Sequence, residues 1–228
     1  MRIEADFVTS AAGAAGLPGD TVPEVALVGR SNVGKSSLIN ALTRQRLART
    51  SATPGKTRLA NVYRVARGNS PPVYLVDLPG YGHAPGGVEA VHRFEELTQA
   101  YFGRASAGVR VGPDAASRCG TVSALLLIDA RHPGLESDRA AWHWMRRTVE
   151  ASAVVATKID KLARGQRIRA LRELESVFEE SVLPFSAVTG EGLDALWNLI
   201  DRLANNRNRQ PRRSRSLPRA TAPHHPRK

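Results

Sequence analysis

The chain has 228 residues, 42% of them hydrophobic, which suits one α/β domain with a tail and excludes a wholly disordered chain. Its single cysteine, Cys119, excludes an internal disulfide and a zinc site built on thiolates. Lys and Arg number 33 against 21 Asp and Glu, a net charge of +12. The excess is uneven: Arg207, Arg209, Arg212, Arg213, Arg215, Arg219, Arg227 and Lys228 all follow the last acid, Asp201, so the rest is only mildly basic.

The start carries Glu4 and Asp6 and no long apolar run, so no signal peptide is expected. Apolar runs such as 124–128 fall far short of the ~20 residues needed to span a bilayer. The expectation is a soluble, cytoplasmic, monomeric protein without membrane insertion.

Residues 1–22 read as an N-terminal extension and loop, because 10–20 is rich in Gly and small residues and contains Pro18. Residues 24–29 (EVALVG) have strand length. Residues 35–43 place Leu38, Ile39 and Leu42 on one helical face. Strands are expected at 62–65 and 73–77 (VYLVD), and a helix at 90–102 with Phe94, Leu97 and Tyr101 aligned. The aperiodic, Gly/Ser/Ala-rich stretch 103–120 reads as a long surface loop. A buried strand follows at 122–129 (VSALLLID), then a helix at 138–149. Trp142, Trp144 and Trp197 read as core or half-core residues; Trp144, two positions from Trp142, must point elsewhere, with exposure as the alternative. A strand at 153–157, a helix at 164–180 and a strand at 182–186 come next. The last helix, 193–203, turns Leu193, Leu196, Trp197, Ile200 and Leu203 inward. Residues 205–228, without apolar period, read as a disordered basic tail.

Strands alternate with helices, and several strands are apolar throughout. That pattern predicts a three-layer α/β domain over 23–204, with a mostly parallel six-stranded sheet covered on both faces.

Gly29-Arg30-Ser31-Asn32-Val33-Gly34-Lys35-Ser36 fits G-x-x-x-x-G-K-[ST] between a predicted strand and helix, the context this phosphate loop requires. Its backbone N–H groups can wrap a phosphate at a positive helix terminus. Lys35 suits bridging β- and γ-phosphate oxygens, and the Ser36 hydroxyl suits Mg²⁺. Asp77-Leu78-Pro79-Gly80 fits D-x-x-G at a strand end: Asp77 can hold Mg²⁺ and the Gly80 N–H can meet a γ-phosphate. Thr157-Lys158-Ile159-Asp160 fits [NT]-K-x-D. Its Asp160 carboxylate can accept both N1–H and N2–H₂ of guanine, and the Lys158 stem can cover the base. Phe185-Ser186-Ala187 fits the S-A-x element whose backbone N–H meets guanine O6. Each of the last three is weak alone, and Asp-x-Pro-Gly also makes an ordinary turn. Four in this order, each after a predicted strand, are specific for a GTP-binding domain. No Ser/His/Asp or metal-ligand cluster stands out besides.

With these residues in view, the sequence resembles the EngB (YsxC, YihA) family of P-loop GTPases in the TrmE–Era–EngA–EngB branch, over about residues 5–203. The likeness is carried by GRSNVGKSSLINAL (29–42), TPGKTR (53–58), DLPGYG (77–82), DARHP (129–133), TKIDKL (157–162) and FSAVTGEGLDALW (185–197). It implies GTP and Mg²⁺ binding, slow hydrolysis, and assembly of the large (50S) ribosomal subunit. Proteins of this family are also described as needed for normal cell division and septation. The resemblance places a switch threonine at Thr57, completing the Mg²⁺ shell and reaching the γ-phosphate, beside Ser36 and Asp77. It places further nucleotide contacts at Ser37, Gly55, Lys56, Arg58 and Leu59. Lys35, Thr57 and Gly80 are then the residues at the reacting phosphate. Asn32 matches an asparagine that holds K⁺ in K⁺-stimulated relatives; the alternative is that it shapes the loop.

Tyr81 stands where Ras-like GTPases carry a water-orienting Gln, so slow turnover and a switch whose output is binding are expected. His132 reads as structural or partner-facing rather than as a base. The basic tail suits RNA phosphates, with ribosomal RNA of the 50S subunit or its precursor as the natural partner under the resemblance. A nucleotide kinase using the same phosphate loop, and an RNA-binding protein dominated by the tail, are the alternatives. The first leaves TKID and FSA unexplained.

Overall fold

The computed structural model describes residues 2–49, 59–81, 97–103 and 121–205. In chain order the elements are β1 (Ile3–Ala11), β2 (Glu24–Gly29), α1 (Lys35–Thr43), β3 (Ala60–Arg67), β4 (Val73–Asp77) and α2 (helical residues 97–103). They continue with β5 (Val122–Asp129), α3 (Glu136–Thr148), β6 (Ser152–Thr157), α4 (Arg164–Phe178), β7 (Val182–Pro184) and α5 (Leu193–Ala204).

The strands form one sheet in the order β1-β3-β4-β2-β5-β6-β7. β4, β2, β5, β6 and β7 run parallel; β3 pairs antiparallel with β4, and β1 antiparallel with β3. The expected mostly parallel α/β sheet is present, with seven strands rather than six. The added strand is β1, in the stretch expected to be an extension. Only Ala5 and Ala11 of its nine residues are buried, and Phe7 and Val8 are exposed. Such an edge strand is held by backbone pairing, from Ile3↔Arg67 to Ala11↔Ala60, and leaves little apolar pattern to read.

The inner strands are apolar throughout because both faces are covered. Alternation along β5 sends Ala124, Leu126 and Ile128 towards α2, α3 and α4, where Tyr101, Phe102, Trp142, Met145, Leu174 and Phe178 pack. Leu125 and Leu127 face α1 and α5, against Leu38, Ile39, Leu42, Leu196, Trp197 and Ile200. Each fully buried Leu or Ile here contributes about 1.5–3 kcal/mol.

Trp144 takes the half-core place rather than the exposed one. It is half-buried, edge-on to Phe102 with ring centroids 5.2 Å apart, because α2 packs beside α3. β7 ends two residues earlier than expected. The Phe185 N–H still reaches the Ala156 carbonyl (2.8 Å), but the Ser186 N–H turns to the Glu191 carbonyl (3.0 Å) and leaves the sheet. Gly103 is the last described residue of α2 rather than loop. The loop at 104–120, the tail beyond 205 and the start of the 90–102 helix lie outside the described residues.

The parallel strands bring Gly29, Asp77, Asp129 and Thr157 to one edge of the sheet. Register fixes this, with Leu27 opposite Asp77, Gly29 opposite Leu127 and Asp129 opposite Thr157. Parallel α/β sheets bind ligands at this carboxyl edge.

Candidate nucleotide-binding site

The loop from Gly29 to Lys35 joins β2 to α1. Gly34 caps the helix with φ +117°, a conformation that favours glycine and opens the α1 N-terminus to the loop. Lys35 is buried, and its Nζ donates to the Gly29 carbonyl (3.0 Å) and the Arg30 carbonyl (3.3 Å). Burial lowers its pKa, while the charge of Asp77 opposes that shift. The Ser36 hydroxyl donates to Asp77 Oδ2 at 3.0 Å. Asp77 Oδ1 is buried and has no hydrogen-bond partner among the described residues. Burial raises the Asp77 pKa, against the pull of Lys35 and the Ser36 hydroxyl. A buried, unpaired carboxylate oxygen beside a hydroxyl is a hard-oxygen donor set that fits Mg²⁺.

The D-x-x-G segment leaves β4 and is stitched onto the phosphate loop. The Ser31 N–H donates to the Tyr81 carbonyl (3.0 Å), the Ser31 hydroxyl approaches the Gly80 carbonyl (3.4 Å), and Arg30 pairs with Tyr81 as a parallel bridge. A Cβ on Gly80 would sit 2.6 Å from the Ser31 nitrogen, so only glycine allows this approach. Leu78 and Pro79 are buried beneath it. The Tyr81 hydroxyl donates to Asp138 Oδ1 in the first turn of α3, at 2.8 Å.

At the other end the T-K-x-D turn follows β6. The Thr157 hydroxyl lies 2.7 Å from the Val33 carbonyl and 3.0 Å from the Ile128 carbonyl, tying the phosphate loop to β5. Lys158, at φ +59°, donates from Nζ to the Asn32 carbonyl (2.6 Å) and to Asp129 Oδ2 (2.9 Å). Ile159 is buried in the core. Asp160 Oδ1 accepts from the Ser186 hydroxyl at 2.7 Å, and the same Ser186 oxygen accepts the N–H groups of Val188 (3.2 Å) and Thr189 (3.1 Å). Fully buried Ser186 therefore fixes both the carboxylate and the loop that carries Ala187.

Beside α1, an open cleft of about 1080 Å³ runs between Ser37 and Asn40, the arginines Arg44 and Arg49, and Ala187 and Val188. The Asn40 side chain clamps Ala48 through two 2.8 Å hydrogen bonds, fixing the chain that leads from α1 towards residue 50.

Asp129 was not singled out as a site residue, although its place at the end of a buried strand was readable. It receives the Arg131 Nε (2.9 Å), Nη2 (2.7 Å) and backbone N–H (3.1 Å) besides Lys158. Burial alone would raise its pKa, but the bonds from Arg131 and Lys158 outweigh burial and bring it down to about 2. A carboxylate more acidic in the folded chain than in the unfolded one stabilises the fold above its ordinary pKa, near 3.8. That stabilisation fades as the pH falls towards 2. Asp129→Asn lacks it, so the stability gap between wild type and variant in urea melts is expected to close between pH 4 and pH 2. A gap constant over that range would contradict the assignment.

The structure thus gathers Gly29, Arg30, Ser31, Asn32, Val33, Gly34, Lys35, Ser36, Asp77, Leu78, Pro79, Gly80, Thr157, Lys158, Asp160 and Ser186 along one edge. Ser37 and Ala187 line the adjoining cleft. Leu59 is exposed just before β3. Gly55, Lys56, Thr57 and Arg58 lie outside the described residues.

A β-strand, glycine loop and helix at the carboxyl edge of a parallel sheet, followed by D-x-x-G and T-K-x-D turns on neighbouring strands, define a P-loop GTPase. A family of 50S ribosome-binding GTPases matches residues 24–158. The chain is 41% identical to a probable GTP-binding protein EngB of Heliobacterium modesticaldum over 88% of its own length and 93% of that protein. It is 38% identical to the EngB protein of Chlorobaculum parvum over 86% and 95%. The chain belongs to the EngB family of GTP-binding proteins and is a GTPase. Among solved structures, its fold is similar to that of a probable GTP-binding protein EngB, with TM-score 0.57 and 21% identity over 81% of this chain and all of that one. It is also similar to Era in complex with MgGDPNP and a piece of 16S ribosomal RNA, with TM-score 0.63 and 23% identity; that likeness covers 81% of this chain and 57% of Era.

Proposed function

We propose that the chain is a slow, GTP-operated switch in assembly of the large ribosomal subunit, binding the 50S particle or its precursor in the cytoplasm in the GTP state. The observation that carries the nucleotide half is the placement of Lys35, Ser36, Asp77, Gly80, Lys158, Asp160 and Ser186 together at the sheet's carboxyl edge, with Ser36 bonded to Asp77 and Ser186 to Asp160.

In this reading the phosphates lie over the loop 29–36, with Lys35 turning its ammonium from the loop carbonyls to the β- and γ-phosphates. Ser36, Asp77 and Thr57 hold Mg²⁺, which when bound neutralises charge on the phosphates. The Gly80 N–H meets the γ-phosphate. Residues 55–59 supply the remaining contacts of that segment. Asp160, held by Ser186, accepts from guanine, Lys158 covers the base, and the loop from Phe185 to Ala187 meets its O6. Asn32 adopts a left-handed backbone (φ +61°) that asparagine tolerates well, which supports a loop-shaping role, with K⁺ binding as the alternative. Tyr81 leaves no side chain of glutamine type to orient water, which supports slow turnover.

The ribosomal half is supported by the family matched over 24–158 and by the arginine-rich residues 207–228, whose charge suits RNA phosphates. The reading extends to cell division and septation, described for proteins the sequence resembles.

The test is cosedimentation of the full chain with 50S particles, with GDP or a non-hydrolysable GTP analogue, at two salt concentrations. Binding that requires the analogue and survives the higher salt is expected. Binding indifferent to nucleotide and lost with salt would overturn the switch and leave a tail that merely holds RNA.

A further inference from the structure

Tyr81 is held at both ends. Its carbonyl accepts the Ser31 N–H of the phosphate loop, and its hydroxyl donates to Asp138 on α3. Asp138 is 1% exposed, and Arg30 of the phosphate loop adds a positive charge near the pair, its Nε buried and without a hydrogen-bond partner among the described residues. The helix carrying Asp138 is itself fixed: the Trp142 Nε1 donates to the Phe178 carbonyl at 3.1 Å, and Trp144 packs edge-on against Phe102. The peptide between Gly80 and Tyr81 is therefore stretched between the phosphate loop and a rigid helix.

We propose that Asp138 is a positioning residue that, through the Tyr81 hydroxyl, holds the Gly80 peptide at the γ-phosphate end of the site. Tyr81 replaces a water-orienting side chain with an anchor. The proposal rests on reading Gly80 as the γ-phosphate contact. GTP and GDP differ only in that phosphate, so an anchor acting through Gly80 alters affinity for one nucleotide and spares the other. A residue needed only for folding weakens both alike.

The experiment measures dissociation constants of the full chain for GDP and for a non-hydrolysable GTP analogue, with Mg²⁺, in Tyr81→Phe, Asp138→Ala, Asp138→Asn and the Tyr81→Phe/Asp138→Ala double variant. Losing one buried hydrogen bond to a charged acceptor is expected to weaken the analogue about five- to tenfold in Tyr81→Phe and in Asp138→Ala. GDP should stay within about twofold. Asp138→Asn keeps an acceptor oxygen and should retain near wild-type affinity. The double variant should bind no worse than the weaker single one, since both remove the same link. Equal weakening of both nucleotides, or of neither, overturns the proposal. Tyr81→Phe removes only a hydroxyl and decides the matter even where Asp138→Ala fails to fold. Loss of both nucleotides already in the wild type would instead refute the guanine-nucleotide reading beneath it.

Discussion

Asp160→Asn is expected to weaken GTP binding about a thousandfold or more and to raise affinity for xanthosine triphosphate. A site built to accept N–H groups rejects a partner that fails to supply them by factors of that order. Asp160 is well suited to such discrimination because it is not free to rotate away. The Ser186 hydroxyl holds Oδ1 at 2.7 Å, and Ser186 is locked in turn by the N–H groups of Val188 and Thr189. In the variant, the Ser186 hydroxyl still needs an acceptor, which keeps the amide oxygen on that side and turns Nδ2 towards the base. There it confronts the N–H groups of guanine but can donate to the C2 carbonyl of xanthine. Titration of the variant with GTP, xanthosine triphosphate and ATP checks this. GTP affinity within twofold of wild type would remove Asp160 from the base site.

The carboxylate is legible in the sequence alone, and its support is not. T-K-x-D names the carboxylate, but Ser186 stands 26 residues later, and only the parallel pairing of β6 with β7 sets its hydroxyl against Asp160. The Tyr81–Asp138 contact spans 57 residues and two elements, so no local spacing announces it. Asp129 was visible within DARHP but carried no sign that Lys158 and Arg131 would both converge on it. The inner strands were plain because burial on both faces makes them continuously apolar. β1 was hidden because its side chains are mostly exposed at the sheet edge, and backbone pairing leaves no composition to recognise. Local motifs thus exposed the groups that would meet the ligand, while the groups that orient them depend on strand order.

Lys35→Met is the second substitution with a large expected effect, and it separates function from stability. Lys35 buries an ammonium against two carbonyls of its own loop, and burial lowers its pKa. Taking that charge out of water costs several kcal/mol, which the two carbonyls and the charge of Asp77 only partly offset. Methionine of similar length keeps the packing and sheds the desolvation, at the loss of two hydrogen bonds worth about 1 kcal/mol each. The melting temperature of the variant is therefore expected to stay close to that of wild type, the shed desolvation offsetting the lost hydrogen bonds and the lost counter-charge to Asp77. GTP hydrolysis, deprived of the cation that stabilises charge on the transferring phosphate, should fall at least about a hundredfold. Asp77 would lose the charge that opposes its burial. Hydrolysis within tenfold of wild type would show that Lys35 is not the phosphate lysine. Collapse of melting temperature and activity together would show that its ammonium is chiefly a structural clamp on the loop.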